Sequence, residues 1–272
     1  MARDGERTLP QARTALLEHG RRTELAVVLL HGLTNNPAQF AQFGPLLFAR
    51  GANVFVPRMP MHGDRDRLSK RIGALTAEAL LASADEAVDV AGGLGERVAV
   101  LGISMGGLLA AHVAQFRAVA GAVLIAPDFA LLNLPYPISR LVESIGLLLP
   151  NAFLWWDPRL RSSEPPITAY PWFSTHALMR SLRIGDRVYA AARRSAPRAE
   201  RIVTIVNRGD PAVNNAVTKR VSDWWSGWKP DSVAFVELSG LPRVHDIIDP
   251  LQPFARPDIV YPELFRALEV RT

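Results

Sequence analysis

The sequence contains no cysteine and no long apolar run. Without thiols, the chain has no disulfide bridge, no thiolate metal site and no cysteine nucleophile. Its most apolar stretch, residues 144–156, is shorter than the roughly 20 residues that a membrane-spanning helix needs. The N-terminal segment mixes acidic and basic side chains and lacks the apolar core of a signal peptide. We therefore expect a cytoplasmic protein without a transmembrane segment.

A strong excess of one charge is also missing. The 272 residues include 31 Lys and Arg against 26 Asp and Glu, a formal net charge of +5. Nine arginines and five acidic residues lie between positions 130 and 200, so a net +4 falls in that one stretch. Nucleic-acid-binding proteins usually carry a larger basic excess, and we expect no nucleic-acid partner. The length favours one globular unit with an insertion over several independent domains.

Segments rich in valine and isoleucine alternate with helix-period segments, which predicts an α/β fold with a mainly parallel central sheet flanked by helices. The predicted strands are 24–31, 53–57, 97–102, 119–126, 202–207 and 232–238. The predicted helices are 37–50, 75–91, 107–118, 215–228 and a terminal helix from about Pro257. The alternation stops at residues 129–200, which we predict to be a mostly helical insertion without clear strands. Residues 1–128 and 201–272 then form the core, with 1–23 either an edge strand or a tail.

The sequence Gly-Ile-Ser-Met-Gly, residues 102–106, lies between a predicted strand and a predicted helix. A serine in so tight a turn needs small neighbours two residues away on each side, and its hydroxyl then stands above the sheet edge. The same turn points the amide of Met105 at whatever Ser104 attacks. A glycine-rich turn that merely closes a strand is the alternative. The position between strand and helix favours Ser104 as a nucleophile.

A nucleophilic serine needs a base and a group that orients the base. His245 follows the last predicted strand, where its side chain can reach the carboxyl edge of the sheet at which α/β proteins bind ligands. Asp210, just after the strand 202–207, is the candidate orienting carboxylate, and Asp128 is its rival. No metal site is expected, because no His-x-x-x-His or clustered carboxylate–histidine spacing occurs.

The other histidines divide by context. His31 ends the first predicted strand and can orient a loop in which the amide of Leu33 supplies a second oxyanion donor. His62 follows the second strand and either lines the mouth of the site or stiffens its loop. His176 lies in the insertion and is a candidate for substrate contact.

The sequence resembles the α/β-hydrolase superfamily, and within it the capped bacterial carboxylesterases and monoacylglycerol lipases. The resemblance rests on residues 31–34 (His-Gly-Leu-Thr), 102–107, 209–213 and 245–249, in that order. It implies an α/β-hydrolase fold with a helical cap, the catalytic residues Ser104, Asp210 and His245, and oxyanion amides from Leu33 and Met105. Ser104 also argues against those relatives that use aspartate or cysteine at this position.

The resulting hypothesis is a serine esterase without a cofactor that cleaves carboxylic esters or monoacylglycerols through an acyl-serine intermediate. A thioesterase, an amidase or a C–C bond hydrolase of the same fold is the alternative for the same residues. A hydrolase-like binding protein with a silent site is the alternative from another class.

The insertion is expected to form a cap above Ser104. Its apolar run, which includes Trp155 and Trp156, either lines an acyl pocket or anchors the cap on the core. We expect substrate contacts from Trp155, Trp156 and His176. The arginines of the insertion form either a solvated face or a basic lid for peripheral contact with an anionic membrane surface.

Overall fold

A seven-stranded sheet organises the chain in a computed structural model that describes residues 4–163 and 165–270. Its strands are β1 (Ala15–Leu17), β2 (Thr23–Leu30), β3 (Asn53–Val56), β4 (Gly95–Ile103), β5 (Gly121–Ile125), β8 (Arg201–Asn207) and β9 (Val233–Leu238). Their order in the sheet is β1-β3-β2-β4-β5-β8-β9, and only β1 runs antiparallel to its neighbour. The predicted mainly parallel α/β architecture is confirmed.

Helices cover both faces of the sheet: α1 (Phe43–Phe48), α2 (Ala77–Leu94), α3 (Met105–Phe116), α6 (Asn215–Trp228) and α7 (Pro257–Ala267). Successive side chains of a strand point to opposite faces, so Val28 and Leu30 join one core cluster while Val27 and Leu29 join the other. The first cluster includes apolar residues of α2, α3 and α6, and the second those of α1 and α7. This burial on both faces explains why the central strands read as nearly continuous apolar runs.

The predicted helix 37–50 is two shorter elements. A 3₁₀ turn covers Pro37–Phe40, and α1 begins only at Phe43. Pro45 has no N–H and would clash with the carbonyl of Ala41 if one helix ran through both, whereas proline is tolerated in the first turn of α1.

Residues 129–200, which we call the cap segment, lie between β5 and β8. They contain α4 (Tyr136–Leu148), β6 (Phe153–Trp155), β7 (Trp172–Ser174) and α5 (Thr175–Ala192). The prediction of no clear strand was wrong here. β6 and β7 pair antiparallel, with Trp155 opposite Trp172 and their ring centroids 5.4 Å apart. Three-residue strands are too short to show a period in the sequence, and cross-strand aromatic pairs stabilise them.

At the N-terminus, β1 resolves the alternative left open for residues 1–23 in favour of an edge strand, since Ala15 to Leu17 pair with β3. Residues 1–3 lie outside the described ranges. Across the described ranges, no helix combines the length and the apolar character needed to cross a bilayer.

Candidate active site

Ser104 occupies a sharp turn between β4 and α3. Its φ is +58°, a left-handed conformation that residues with a Cβ adopt rarely. A Cβ on Gly102 would stand 2.0 Å from the carbonyl oxygen of Gly106, and one on Gly106 would stand 1.9 Å from that of Leu30. Both positions therefore require glycine, as the sequence predicted, and the turn holds the serine at the carboxyl edge of the sheet.

The Ser104 side chain lines a cavity of about 720 Å³ between the core and the cap segment. Core residues around it include Leu33, Met105, Asp128 and His245, and the cap segment contributes Trp156 and Tyr170. Within the described ranges the Ser104 hydroxyl has no hydrogen-bond partner in the protein. Nucleophile–base contacts often tighten only when substrate binds.

His245 and Asp210 form a hydrogen bond across 35 residues of sequence. Nδ1 of His245 donates to Oδ2 of Asp210 at 2.8 Å, and the Asp210 side chain is fully buried. Oδ1 of Asp210 accepts from the amide of Ala212 at 2.8 Å, which fixes the carboxylate in its turn. Because Nδ1 carries the proton toward Asp210, Nε2 is left free to act as a base.

Electrostatics around His245 favour its protonated form. Burial by itself lowers the pKa of the imidazole, but the negative charges of Asp210, Asp128 and Asp246 outweigh it and raise the pKa above the ordinary value. Such an imidazole accepts a proton readily and is stabilised while it is charged.

Asp128, the rival carboxylate, also lines the cavity but makes no hydrogen bond to His245 in the described part of the chain. Its Oδ1 is buried and unpartnered within the described residues. Burial raises the pKa of this carboxyl to about 7, and the charge of Asp210 adds to the effect. The geometry therefore favours Asp210 over Asp128 as the group that orients the base.

The two predicted oxyanion donors, the amides of Leu33 and Met105, belong to residues that line the cavity beside Ser104. Met105 is the first residue of α3, so its amide has no acceptor within the helix. The Leu33 amide likewise donates to no acceptor in the described part of the chain. Both amides are available to a negatively charged oxygen in the cavity.

The three residues predicted to contact substrate lie in different places. Trp156 lines the cavity. Trp155 instead packs against Trp172, and Nε2 of His176 contacts the carbonyl of Leu149 at 2.8 Å. Neither of these two residues is part of the cavity lining. Trp156 directly follows β6, and adjacent side chains of an extended chain face opposite ways. Trp155 and Trp156 therefore do not share one surface.

His31 and His62 are completely buried and lie outside the cavity lining. Nδ1 of His31 donates to the carbonyl of Gly32 at 3.0 Å, in agreement with its predicted role of orienting that loop. His62 Nδ1 donates to the carbonyl of Pro60 at 2.7 Å, which is the loop-stiffening alternative. Within residues 4–163 and 165–270, no group of three or more histidine and carboxylate side chains is arranged to hold a metal ion.

Sequence reasoning missed a polar bridge that joins the loops of Leu33 and His245. Oε1 of Gln39 accepts from the Gly32 amide at 2.9 Å, and Nε2 of Gln39 donates to Oδ2 of Asp246 at 2.7 Å. No local signal predicts a contact between residues 207 positions apart.

Comparison with known proteins agrees with the fold. The model described as "Alpha/beta hydrolase family" matches residues 27–260. A structure of the metagenome-derived lipolytic enzymes LipS and LipT has a TM-score of 0.70 at 19% identity, covering 96% of this chain and 98% of that one. The monoacylglycerol lipase of Paleococcus ferrophilus has a TM-score of 0.68 at 22% identity, covering 94% of this chain and 96% of that one. A soluble variant of the monoglyceride lipase of Saccharomyces cerevisiae has a TM-score of 0.69 at 14% identity, covering 95% of this chain and 91% of that one. The comparison with curated proteins found no match.

Proposed function

The chain belongs to the α/β-hydrolase family, and on that premise we propose that it is a serine esterase in which Ser104, His245 and Asp210 cleave carboxylic esters. The observation that carries the proposal is the joint one: an elbow serine at φ +58° lines the same cavity as a histidine bonded to a buried carboxylate at 2.8 Å. A binding module has no need of this combination.

In the proposed acylation step, Nε2 of His245 takes the proton of the Ser104 hydroxyl while Oγ attacks the ester carbonyl carbon. The carbonyl oxygen becomes negatively charged and accepts hydrogen bonds from the amides of Leu33 and Met105. When the tetrahedral intermediate collapses, the C–O bond to the alcohol breaks. The imidazolium returns its proton to the leaving alkoxide, and an acyl-serine remains.

Deacylation repeats the sequence with water as the nucleophile. Nε2 of His245 removes a proton from the water, and the water oxygen attacks the acyl carbon. The intermediate collapses with release of Ser104 Oγ, which regains the proton from the imidazolium, and the carboxylic acid leaves. Throughout, Asp210 holds the tautomer of His245 and stabilises its charged form.

The cavity favours an apolar acyl chain. Its lining includes the aliphatic residues Leu33, Leu131, Leu178, Val213 and Val244. The named activities of the similar structures, lipolytic enzymes and monoacylglycerol lipases, support esters of short to medium chain or monoacylglycerols as substrates here.

Turnover of p-nitrophenyl esters from acetyl to palmitoyl, together with monoacylglycerols, tests the proposal. We expect hydrolysis by the native protein and a loss of at least about 10⁴-fold in kcat for Ser104→Ala. A fluorophosphonate should label the native protein once per chain and leave the variant unlabelled. Unchanged turnover in Ser104→Ala would refute the nucleophile. Matched thioester and anilide substrates decide between an esterase and the alternatives of the same fold.

We also propose peripheral contact between the cap segment and a lipid surface, but with a different basis from the predicted basic lid. Several cap arginines are engaged within the protein: Arg183 pairs with Glu143 at 3.1 Å, and Nη1 of Arg180 donates to the Leu75 carbonyl at 2.8 Å. One side of α4 is instead exposed and apolar. Its members are Ile138, Leu141, Val142, Ile145 and Leu148.

Cosedimentation with phosphatidylcholine vesicles, with and without phosphatidylglycerol, measures this contact. We expect binding that Leu141→Ser/Leu148→Ser weakens, while turnover of soluble p-nitrophenyl acetate is kept, because both side chains lie outside the cavity lining. The arginines contribute only if anionic lipid strengthens binding and salt weakens it. Absence of binding to either vesicle contradicts the contact.

A further inference from the structure

The loop that carries the Leu33 amide contains a strained residue. Thr34 has φ +68° although it is β-branched and 5% exposed. A β-branched residue disfavours the left-handed region, and the conformation persists only where surrounding contacts hold it. Contacts that hold Thr34 therefore restrain the loop in which the Leu33 amide lies.

Besides the turn bond from the Asn35 amide to the Gly32 carbonyl at 3.2 Å, the contacts that hold Thr34 come from the cap segment. Nε1 of Trp156 donates to Oγ1 of Thr34 at 2.9 Å, and the amide of Tyr170 donates to the Thr34 carbonyl at 2.9 Å. Two residues further on, Nδ2 of Asn36 donates to the carbonyl of Thr168 at 2.7 Å. The other end of the loop is held by the core, through the bond from the Gly32 amide to Gln39.

The donors in the cap segment are themselves fixed. The Trp156 amide donates to the carbonyl of Pro171 at 3.0 Å, and its ring lies 4.3 Å from that of Phe173. The Tyr170 hydroxyl accepts from the amide of Asp64 at 2.9 Å and donates to the carbonyl of Met61 at 3.2 Å. The Tyr170 donor is a backbone amide, and the Trp156 donor is an indole N–H whose ring packs on Phe173.

From this geometry we propose that Trp156 and Tyr170 are positioning residues, which hold Thr34 in its left-handed conformation and so aim the Leu33 amide at the oxyanion. The inference rests on the proposed esterase function. It assigns the cap segment a part in transition-state stabilisation in addition to enclosing the cavity. The hydrogen bond of the Trp156 indole is the part of this contact that a single substitution can remove.

Trp156→Phe removes the N–H donor and keeps an aromatic ring. With p-nitrophenyl butyrate we expect kcat to fall about tenfold and KM to change less than about twofold, because an oxyanion donor acts on the transition state more than on the bound substrate. Affinity for 1-butaneboronic acid, which gives a tetrahedral adduct on a serine, should fall in parallel with kcat. The matched control is Trp172→Phe, since the Trp172 N–H is buried and has no partner among the described residues.

Thr34 tests the same bond from its acceptor side. Thr34→Val should lower kcat as Trp156→Phe does, Thr34→Ser should retain more of it, and the double variant with Trp156→Phe should be no worse than Thr34→Val alone. The proposal is overturned if Trp156→Phe keeps kcat within twofold, if Trp172→Phe loses as much, or if the double variant shows additive losses. Ser104→Ala, assayed alongside, distinguishes failure of the positioning role from failure of the proposed esterase function. Turnover in that variant would contradict the esterase function itself.

Discussion

Three histidines follow strands at the same edge of the sheet, and the surroundings of His245 give it a property opposite to that of His31 and His62. His245 faces the carboxylates of Asp210, Asp128 and Asp246, which raise its pKa. His31 and His62 pack edge to face, 5.0 Å between ring centroids, in full burial, and desolvation lowers the pKa of both. The same side chain is thus prepared to carry a charge in one place and kept neutral in the other. The difference lies in the carboxylates beside His245 and in its exposure, since its side chain is 26% exposed whereas His31 and His62 are completely buried.

Hydrogen bonding reinforces the contrast. Nε2 of His31 accepts from the amide of Met59 at 3.0 Å while its Nδ1 donates to a carbonyl, so both nitrogens are committed as in a neutral ring. A proton on Nε2 would face the Met59 N–H. In His245 only Nδ1 is committed, and Nε2 remains open toward the cavity. This division agrees with a structural role for His31 and the proposed proton transfer by His245.

Among the tests of this comparison, Asp210→Asn has the largest expected effect on kcat. An amide cannot stabilise the imidazolium of His245 and can favour the wrong tautomer, so we expect kcat to fall about 10⁴-fold with little change in KM. The matched control is Asp249→Asn, because Asp249 is also buried, follows His245 closely, and accepts from the Leu251 amide without touching the imidazole. Asp249→Asn should keep kcat within about fivefold. Equal losses in the two variants would contradict the assignment of Asp210.

The second test concerns the neutral pair of His31 and His62 and measures the free energy of unfolding. Burial lowers the pKa of His62 to about 4, against 6.5 for an exposed histidine. Between these values the unfolded chain binds more protons than the folded one at this position, so His62 makes the free energy of unfolding decrease as pH falls from 6.5 toward 4. The full contribution is about 3 kcal/mol. Above pH 6.5 it imposes no penalty.

Buried carboxyls oppose this trend. The pKa values of Asp128 and Asp249 are both raised to about 7 by burial, so the folded state holds extra protons there as pH falls. The useful quantity is therefore the difference between native protein and His62→Asn, whose amide can still donate to the Pro60 carbonyl. Urea unfolding at pH 7.5 and 4.5 should show the native protein losing roughly 2–3 kcal/mol more than the variant, because the full contribution is reached only below pH 4. Equal losses would contradict a neutral buried His62.

Local sequence chemistry predicted the parts of the site that depend on a single turn. The glycines around Ser104 could be identified because any Cβ at Gly102 or Gly106 collides with backbone. The pairing of Asp210 with His245 could be anticipated because both follow parallel strands that end at one edge of the sheet. Apart from the predicted helix 37–50, which is two shorter elements, the strand and helix limits of the core agree to within a few residues, because long, two-sided burial leaves a clear pattern.

The cap segment was less predictable for a physical reason. Its contacts with the core depend on irregular backbone and on partners more than 100 residues away, such as the bond from Trp156 to Thr34. Aromatic composition alone gave equal support to pocket lining and to packing, and the structure divides the two neighbouring tryptophans between those roles. The exposed stripe of α4 was likewise hidden, because its amphipathic pattern does not say which side meets the core.

The smallest expected effect belongs to Asp128→Asn, which sharpens the role of charge around His245. Asp128 makes no hydrogen bond to the imidazole, and asparagine keeps the size of its buried carboxyl, whose pKa is raised to about 7. We expect kcat at pH 8 to stay within about threefold.

Its ionised form nevertheless helps to raise the pKa of His245. Removing that charge lowers the pKa, and since the neutral imidazole is the base, the acid limb of the profile of kcat/KM against pH should move to lower pH in Asp128→Asn. A fall of several hundredfold at pH 8 would transfer the orienting role to Asp128. An unmoved acid limb would show that the carboxylates felt by His245 are only those of Asp210 and Asp246, and the contrast with the neutral histidine pair would then rest on fewer charges.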